Sequence, residues 1–153
     1  MPKTKRNPSR TEVKTADTWD LSPLYKSDTA WKRAFKELEK GVTAFDESAK
    51  TLRACCDAEN ELDQLAERLS YYAFLKSAED VSNSTYQGMV GQYMNVATRV
   101  HEATSFIAPE IRSIPKAKMD RLLKAPIMKD YRYALEKLLR YRPHILTHKE
   151  ERI

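Results

Sequence analysis

LRACCDAENELDQLAERLSYYAFLKS, residues 52–77, is the stretch on which the fold turns. Leu52, Cys55, Leu62, Leu65, Leu69, Tyr72 and Leu75 recur at steps of three, four and seven, which lines them up as one apolar row along a helix. Lys50, Arg53, Asp57, Glu61 and Arg68 fall mostly outside that row. With Ser48 as its N-cap, a helix unbroken to Ser77 would be about 45 Å long at 1.5 Å per residue.

Working outward from this helix, the polar stretch SAEDVSNS, residues 77–84, breaks the period with cap-forming residues and turns the chain. A third long helix is predicted from about Ser84 to near Pro109, carrying Tyr86, Met89, Val90, Tyr93, Val96, Ala97, Val100, Thr104 and Ile107. The short connection makes these two helices antiparallel neighbours. Gly88 and Gly91 either permit a close helix approach or are ordinary tolerated glycines.

Upstream, Ser27 or Asp28 caps a first helix whose buried face is Trp31, Phe35, Leu38, Val42 and Phe45, with Gly41 weakening its last turn. Ahead of it WDLSPLY, residues 19–25, cannot be a helix interior because of Pro23. It reads as an extended arm that docks Trp19, Leu21 and Leu24 onto the helical body. Downstream, Pro115 suits the first turn of a short helix with Met119, Leu122 and Leu123, which Pro126 ends. MKDYRYALEKLLRYRPH, residues 128–144, supplies a further helix with Tyr131, Leu135, Leu138 and Leu139 inward and a stop at Pro143. Thr147 and Glu150 then form a capping box with only three residues to follow.

The fold class is therefore all-α, an antiparallel bundle of about five helices, two of them long, with an extended N-terminal arm. Composition agrees: of 153 residues, 41% are hydrophobic and 32% charged, and only three are glycine, which suits helices and one domain with a real core. Lys3, Lys5, Arg6, Arg10 and Lys14 against Glu12 put most of the net charge of +5 ahead of residue 17. Residues 1–16 read as a disordered basic tail and the remainder as nearly neutral. Neither a secretory signal nor a membrane-length apolar run is evident, so a cytoplasmic protein is expected.

Candidate chemistry is sparse. His101-Glu102-Ala103-Thr104-Ser105 has the first half of a zinc-protease helix, but serine stands where the second histidine should be. His144 and His148 are four apart with Pro143 interrupting the backbone, and no third ligand is near. Adjacent Cys55 and Cys56 disfavour a bond to each other and read as small buried apolar residues. There is no glycine-flanked serine and no phosphate loop. Glu59, Glu61, Asp63 and Glu67 read as solvated or paired helix-surface carboxylates, and the tyrosines with Met89, Met94 and Met119 as core.

Three segments carry a resemblance: WDLSPLY, AERLSYYAFLKSAED at 66–80, and YRYALEKLLRYRPHILTHKEE at 131–151. In this order and spacing, the chain from Trp19 to Ile153 resembles the N-terminal region of the oligoendopeptidase F family of zinc metallopeptidases, which are thimet-oligopeptidase-like. The resemblance implies that residues 17–153 form the helical N-terminal lobe of a larger peptidase, folded over a deep channel that admits short peptides and excludes folded proteins. The family's HExxH helix, with two zinc ligands and the general base, and the later glutamate that completes the zinc site lie further along and have no counterpart here. No catalytic, cofactor-binding or metal residue is therefore carried over. Zinc belongs to the intact enzyme, and the partner is the missing catalytic lobe.

The same resemblance implies that the helix announced at Thr147 continues in family members. This chain would then be truncated before the catalytic domain, inactive alone, and exposing apolar surface where that lobe docks. The alternative is a free-standing helical binding module whose basic arm contacts an acidic partner or nucleic acid. It predicts salt-sensitive binding that disappears when residues 1–16 are removed, but no readout residues support it.

Overall fold

Ser27 starts the first helix, its hydroxyl accepting the Ala30 N–H at 3.2 Å while its carbonyl accepts the Trp31 N–H. The computed structural model describes the backbone of residues 10–48 and 51–145, with side chains from Thr11 to Thr43 and from Thr51 to Ile145. Six α-helices occur among the described residues: α1 (Asp28–Ser48), α2 (Leu52–Glu79), α3 (Ser84–Thr104), α4 (Ile107–Ser113), α5 (Lys116–Lys124) and α6 (Arg132–Arg140), with short 3-10 turns between some of them. No strand occurs among the described residues, and the fold is all-α. The chain divides into two compact units, one holding the described residues up to Ala44 together with Glu61–Val100, the other Phe45–Asn60 and the chain from His101 onward.

In the first unit α1 and α2 run antiparallel. Tyr72 donates its hydroxyl hydrogen to Asp28 at 2.8 Å, Trp31 donates its indole N–H to the Leu69 carbonyl at 2.9 Å, and Leu62 lies against Gly41, so rising positions on one helix meet falling positions on the other. Trp31, Leu38, Leu69 and Ala73 are fully buried at this seam. The indole bond matters because a donor buried without a partner costs about 1–3 kcal/mol. Phe35 stacks on Trp31 at 5.2 Å. Gly41 does not weaken a last turn: α1 continues seven residues past it to Ser48.

The turn after α2 is built by two side chains. Asp80 accepts the backbone N–H and hydroxyl hydrogen of Ser82, and Asn83 caps α3 by accepting the Thr85 N–H at 3.0 Å. The side chain of Gln87 donates back to Ser77, and Phe74 meets Tyr93 edge-on at 6.1 Å, so α2 and α3 are antiparallel as expected. Met89, Val96 and Val100 are buried. Met94, expected in the core, is 54% exposed.

The segment before α1 is a turn as much as an arm. Leu24 and Tyr25 both donate their N–H groups to the Leu21 carbonyl. Leu21 is buried and Leu24 partly so, while Trp19 remains 53% exposed and donates its backbone N–H to Glu79. Of the proposed tail, residues 1–9 lie outside the described residues. Arg10–Glu12 and Thr15–Asp17 form single 3-10 turns.

In the second unit Thr51, not Ser48, caps α2, its hydroxyl accepting the Ala54 N–H at 3.2 Å. The helix expected to reach Pro109 ends instead at Thr104, and α4 begins at Ile107. The reason is local: the Pro109 ring cannot be accommodated against the carbonyl four residues back, at Ser105, so the break falls there and Pro109 sits in the first turn of α4. Ile107, Ile111, Met119, Met128, Leu135 and Cys56 form the buried interior. Arg142 donates to the Arg112 carbonyl at 2.6 Å and to the Ile114 carbonyl, fastening the Arg142–His144 turn to the end of α4. The Thr147–Glu150 capping box lies outside the described residues.

Candidate functional site

A polar cluster in the second unit is anchored by the first turn of α2. An i to i+4 spacing places Arg53 over Asp57, and the Arg53 Nε to Asp57 Oδ2 distance is 2.8 Å. Tyr131, at the start of α6, donates its hydroxyl hydrogen to the other oxygen of Asp57 at 2.7 Å. The Arg53 guanidinium stacks 4.9 Å from the Tyr131 ring centre, donates to the Ile127 carbonyl and stands 3.6 Å from Asp130. The hydrogen bond from Arg53, then that from Tyr131, holds the Asp57 carboxyl below its ordinary value of 3.8. Asp57 in turn pushes the Tyr131 phenol up to about 12. Near neutral pH the cluster is thus a fixed carboxylate, a fixed cation and a protonated phenol. That arrangement clamps two segments together and offers neither a base nor an acid poised for catalysis.

A cleft of about 390 Å³ is lined by Thr51, Leu52 and Cys55 of the α2 start and by Phe106, Ile107 and Glu110 of the α4 start, among others. Burial raises the Cys55 thiol, helped by the charges of Glu59 and Glu110, and pushes Cys56 up to about 11. Both are free thiols, Cys56 buried and Cys55 partly so, and both stay protonated near neutral pH, which removes the thiolate that nucleophilic chemistry needs.

The histidine motifs are not brought together. His101 and Glu102 are exposed in the last turn of α3, and Ser105 lies past the helix end, so even the spacing of a metal-binding helix is lost there. His144 is exposed, and His148 lies outside the described residues. Among the described residues no three His, Cys, Asp or Glu side chains gather as a metal site would require. Asp63 faces a like charge: partial loss of solvation and then the Glu67 carboxylate, one turn on, raise its carboxyl. No helix among the described residues is long and apolar enough to cross a membrane.

The whole-chain charge balance hid one feature. Between Ile111 and Ile145 stand ten lysines and arginines against Asp120, Asp130 and Glu136, so this stretch alone carries ten minus three, or +7, before histidine is counted. A windowed count would have found it.

A family profile described as Oligopeptidase F matches residues 110–153. The chain is 35% identical over 152 residues to oligopeptidase PepF of Bacillus subtilis, spanning 94% of this chain and 23% of that protein. It is 32% identical over 155 residues to an oligoendopeptidase F homolog of Borreliella burgdorferi, spanning 95% of this chain and 26% of the relative. In fold it matches the crystal structure of a protein described as a peptidase from Chlamydophila abortus, with a TM-score of 0.84 at 24% identity, over 96% of this chain and 26% of that one. The chain thus spans about a quarter of the length of the curated relatives it matches. By sequence along nearly its whole length, it belongs to the oligoendopeptidase F family, as an N-terminal portion of such a peptidase.

Proposed function

We propose that this chain is the noncatalytic helical N-terminal lobe of a cytoplasmic oligoendopeptidase F-type metallopeptidase that hydrolyses short peptides, the chemistry belonging to the remainder of the enzyme. The observation that carries this reading is the match over 94–95% of the chain to only 23–26% of relatives called oligopeptidases. No catalytic step is assigned to any residue of this chain. Exposed apolar side chains add support. Tyr71, Phe74 and Met94 are 54%, 45% and 54% exposed, in stretches of α2 and α3 that carry no charge from Leu69 to Leu75 and from Ser84 to Thr98. Such surface is what an interface requires.

The test is to replace the matched quarter of the Bacillus subtilis relative with this chain and follow oligopeptide cleavage. The chimera should cleave, a chelator should stop it, and the chain alone should neither cleave nor hold stoichiometric zinc. Chelator-sensitive cleavage by the isolated chain would overturn the assignment, and an inactive, folded chimera would count against it.

A further inference from the structure

Eight of the ten cations behind that +7 are exposed, while Arg112 and Arg142 are half-buried where the Arg142–His144 turn meets the end of α4. Lys116, Lys118, Arg121 and Lys124 are exposed on α5, and Lys137 and Arg140 on α6. Only Lys116 has a carboxylate partner, Asp120 at 2.7 Å, whereas Lys118, Arg121, Lys124, Lys137 and Arg140 pair with no carboxylate among the described residues. Asp130 is taken by Arg53, and Glu136 stands exposed between the cations of α6. Arg132 donates to the Leu123 carbonyl at 2.7 Å, which ties the start of α6 to the end of α5. Both helices have nine residues, roughly 14 Å each at 1.5 Å per residue, so the cations within each helix lie within about one to two screening lengths of one another, and the two sets adjoin where Arg132 meets Leu123. Tyr133, 70% exposed, Lys137 and Tyr141, 57% exposed, recur every four residues and so share one side of α6 and its end, giving the cations there flat amphipathic surface.

We propose that this α5–α6 face binds acidic peptide segments, with lysine and arginine drawing in Asp and Glu side chains and the tyrosines covering the apolar parts between them. This names a substrate preference for the lobe described above and rests on that reading for its purpose, though the binding itself does not require it. A peptide is favoured over nucleic acid because Asp120 and Glu136 interrupt the cations of their own helices. A phosphate backbone with a charge at every step meets those carboxylates unavoidably, whereas carboxylates spaced along a peptide can avoid them. The site differs from the N-terminal basic arm, which contributes none of these residues.

The test uses the full chain and a fluorescein-labelled ten-residue peptide whose glutamates are spaced by neutral residues, with anisotropy read at low and high salt. Binding should be measurable at low salt, weaken steeply with added salt, and fall about tenfold in the double variant Lys137→Glu, Arg140→Glu. Reversing Lys32 and Arg33, exposed on α1 in the first unit, should leave it unchanged, and helicity by circular dichroism should hold in every variant. Binding a neutral peptide equally well, binding a ten-nucleotide single strand more tightly, or an equal loss on reversing Lys32 and Arg33 would each overturn the proposal. An inactive chimera would sink the lobe assignment and leave this binding intact, while absent peptide binding would leave an active chimera standing.

Discussion

Asp57 and Tyr131 make the clearest case at the scale of single residues, because their shifts have opposite signs and separate pH windows. Asp57 is held below its unfolded value of 3.8, so its contribution to stability is complete above that pH and is lost as pH falls through the lower folded value. Tyr131 is raised from 10.0 to about 12, so its contribution is complete below pH 10 and is lost as pH climbs through about 12. Urea midpoints measured against pH should therefore decline at both extremes. Asp57→Asn should flatten the acid limb and Tyr131→Phe should shrink the alkaline one; limbs unchanged in both variants would show that the clamp does not form. Cys56 yields a kinetic expectation: with its thiol pushed up to about 11 from 9.0, the thiolate fraction at pH 8 drops about a hundredfold. Reaction with a disulfide reagent should be slowed to match in the native protein and recover in urea. None of these contacts follows from local spacing except Arg53 to Asp57, since Tyr131 lies 74 positions from its carboxylate partner.

The glycines distinguish what a helix permits from what its neighbours permit. An added Cβ at Gly41 would stand 2.8 Å from the end of Leu62, whereas at Gly88 and Gly91 it would meet nothing within 4 Å. The close approach that seemed available to Gly88 and Gly91 therefore occurs at Gly41 instead. Replacing Gly88 or Gly91 with alanine should raise stability by roughly 0.5–1 kcal/mol each through helix propensity alone. Gly41→Leu should lower it by about 1–2 kcal/mol, because overpacking against Leu62 outweighs the propensity gained. Thermal melts of the three variants would decide, and a stabilised Gly41→Leu would disprove the contact. Helix existence was legible from apolar spacing at every one of these elements. The break at Ser105 was legible in principle from Pro109, whose steric effect lies four residues upstream of the ring.

For the molecule as a whole, the exposed apolar side chains separate stability from assembly. Tyr71→Lys with Met94→Lys alters two side chains already more than half in water, so the isolated chain should melt within about 0.5 kcal/mol of the parent. In the chimera with the Bacillus subtilis relative, the same pair should cut peptide cleavage sharply if this surface meets the catalytic portion. Equal cleavage with and without the lysines would remove that surface from the interface. Whole-chain charge was a poor guide at this scale: +5 attributed to the tail concealed +7 between Ile111 and Ile145, offset by acidic residues earlier in the chain.

The amino-acid sequence by itself determined the all-α class, the existence of the first three helices and the family. These rest on periods of three and four, on cap-forming and proline residues, and on motif order, all of which act over a few neighbouring positions. Only tertiary structure decided that Met94 faces water while Met128 is buried, that Gly41 is the tight crossing, and that Asp57 has a phenol on one oxygen and a guanidinium on the other. The physical reason is that burial and hydrogen-bond partners depend on which helix faces meet. That is settled by contacts between residues dozens of positions apart, about which local spacing carries no information.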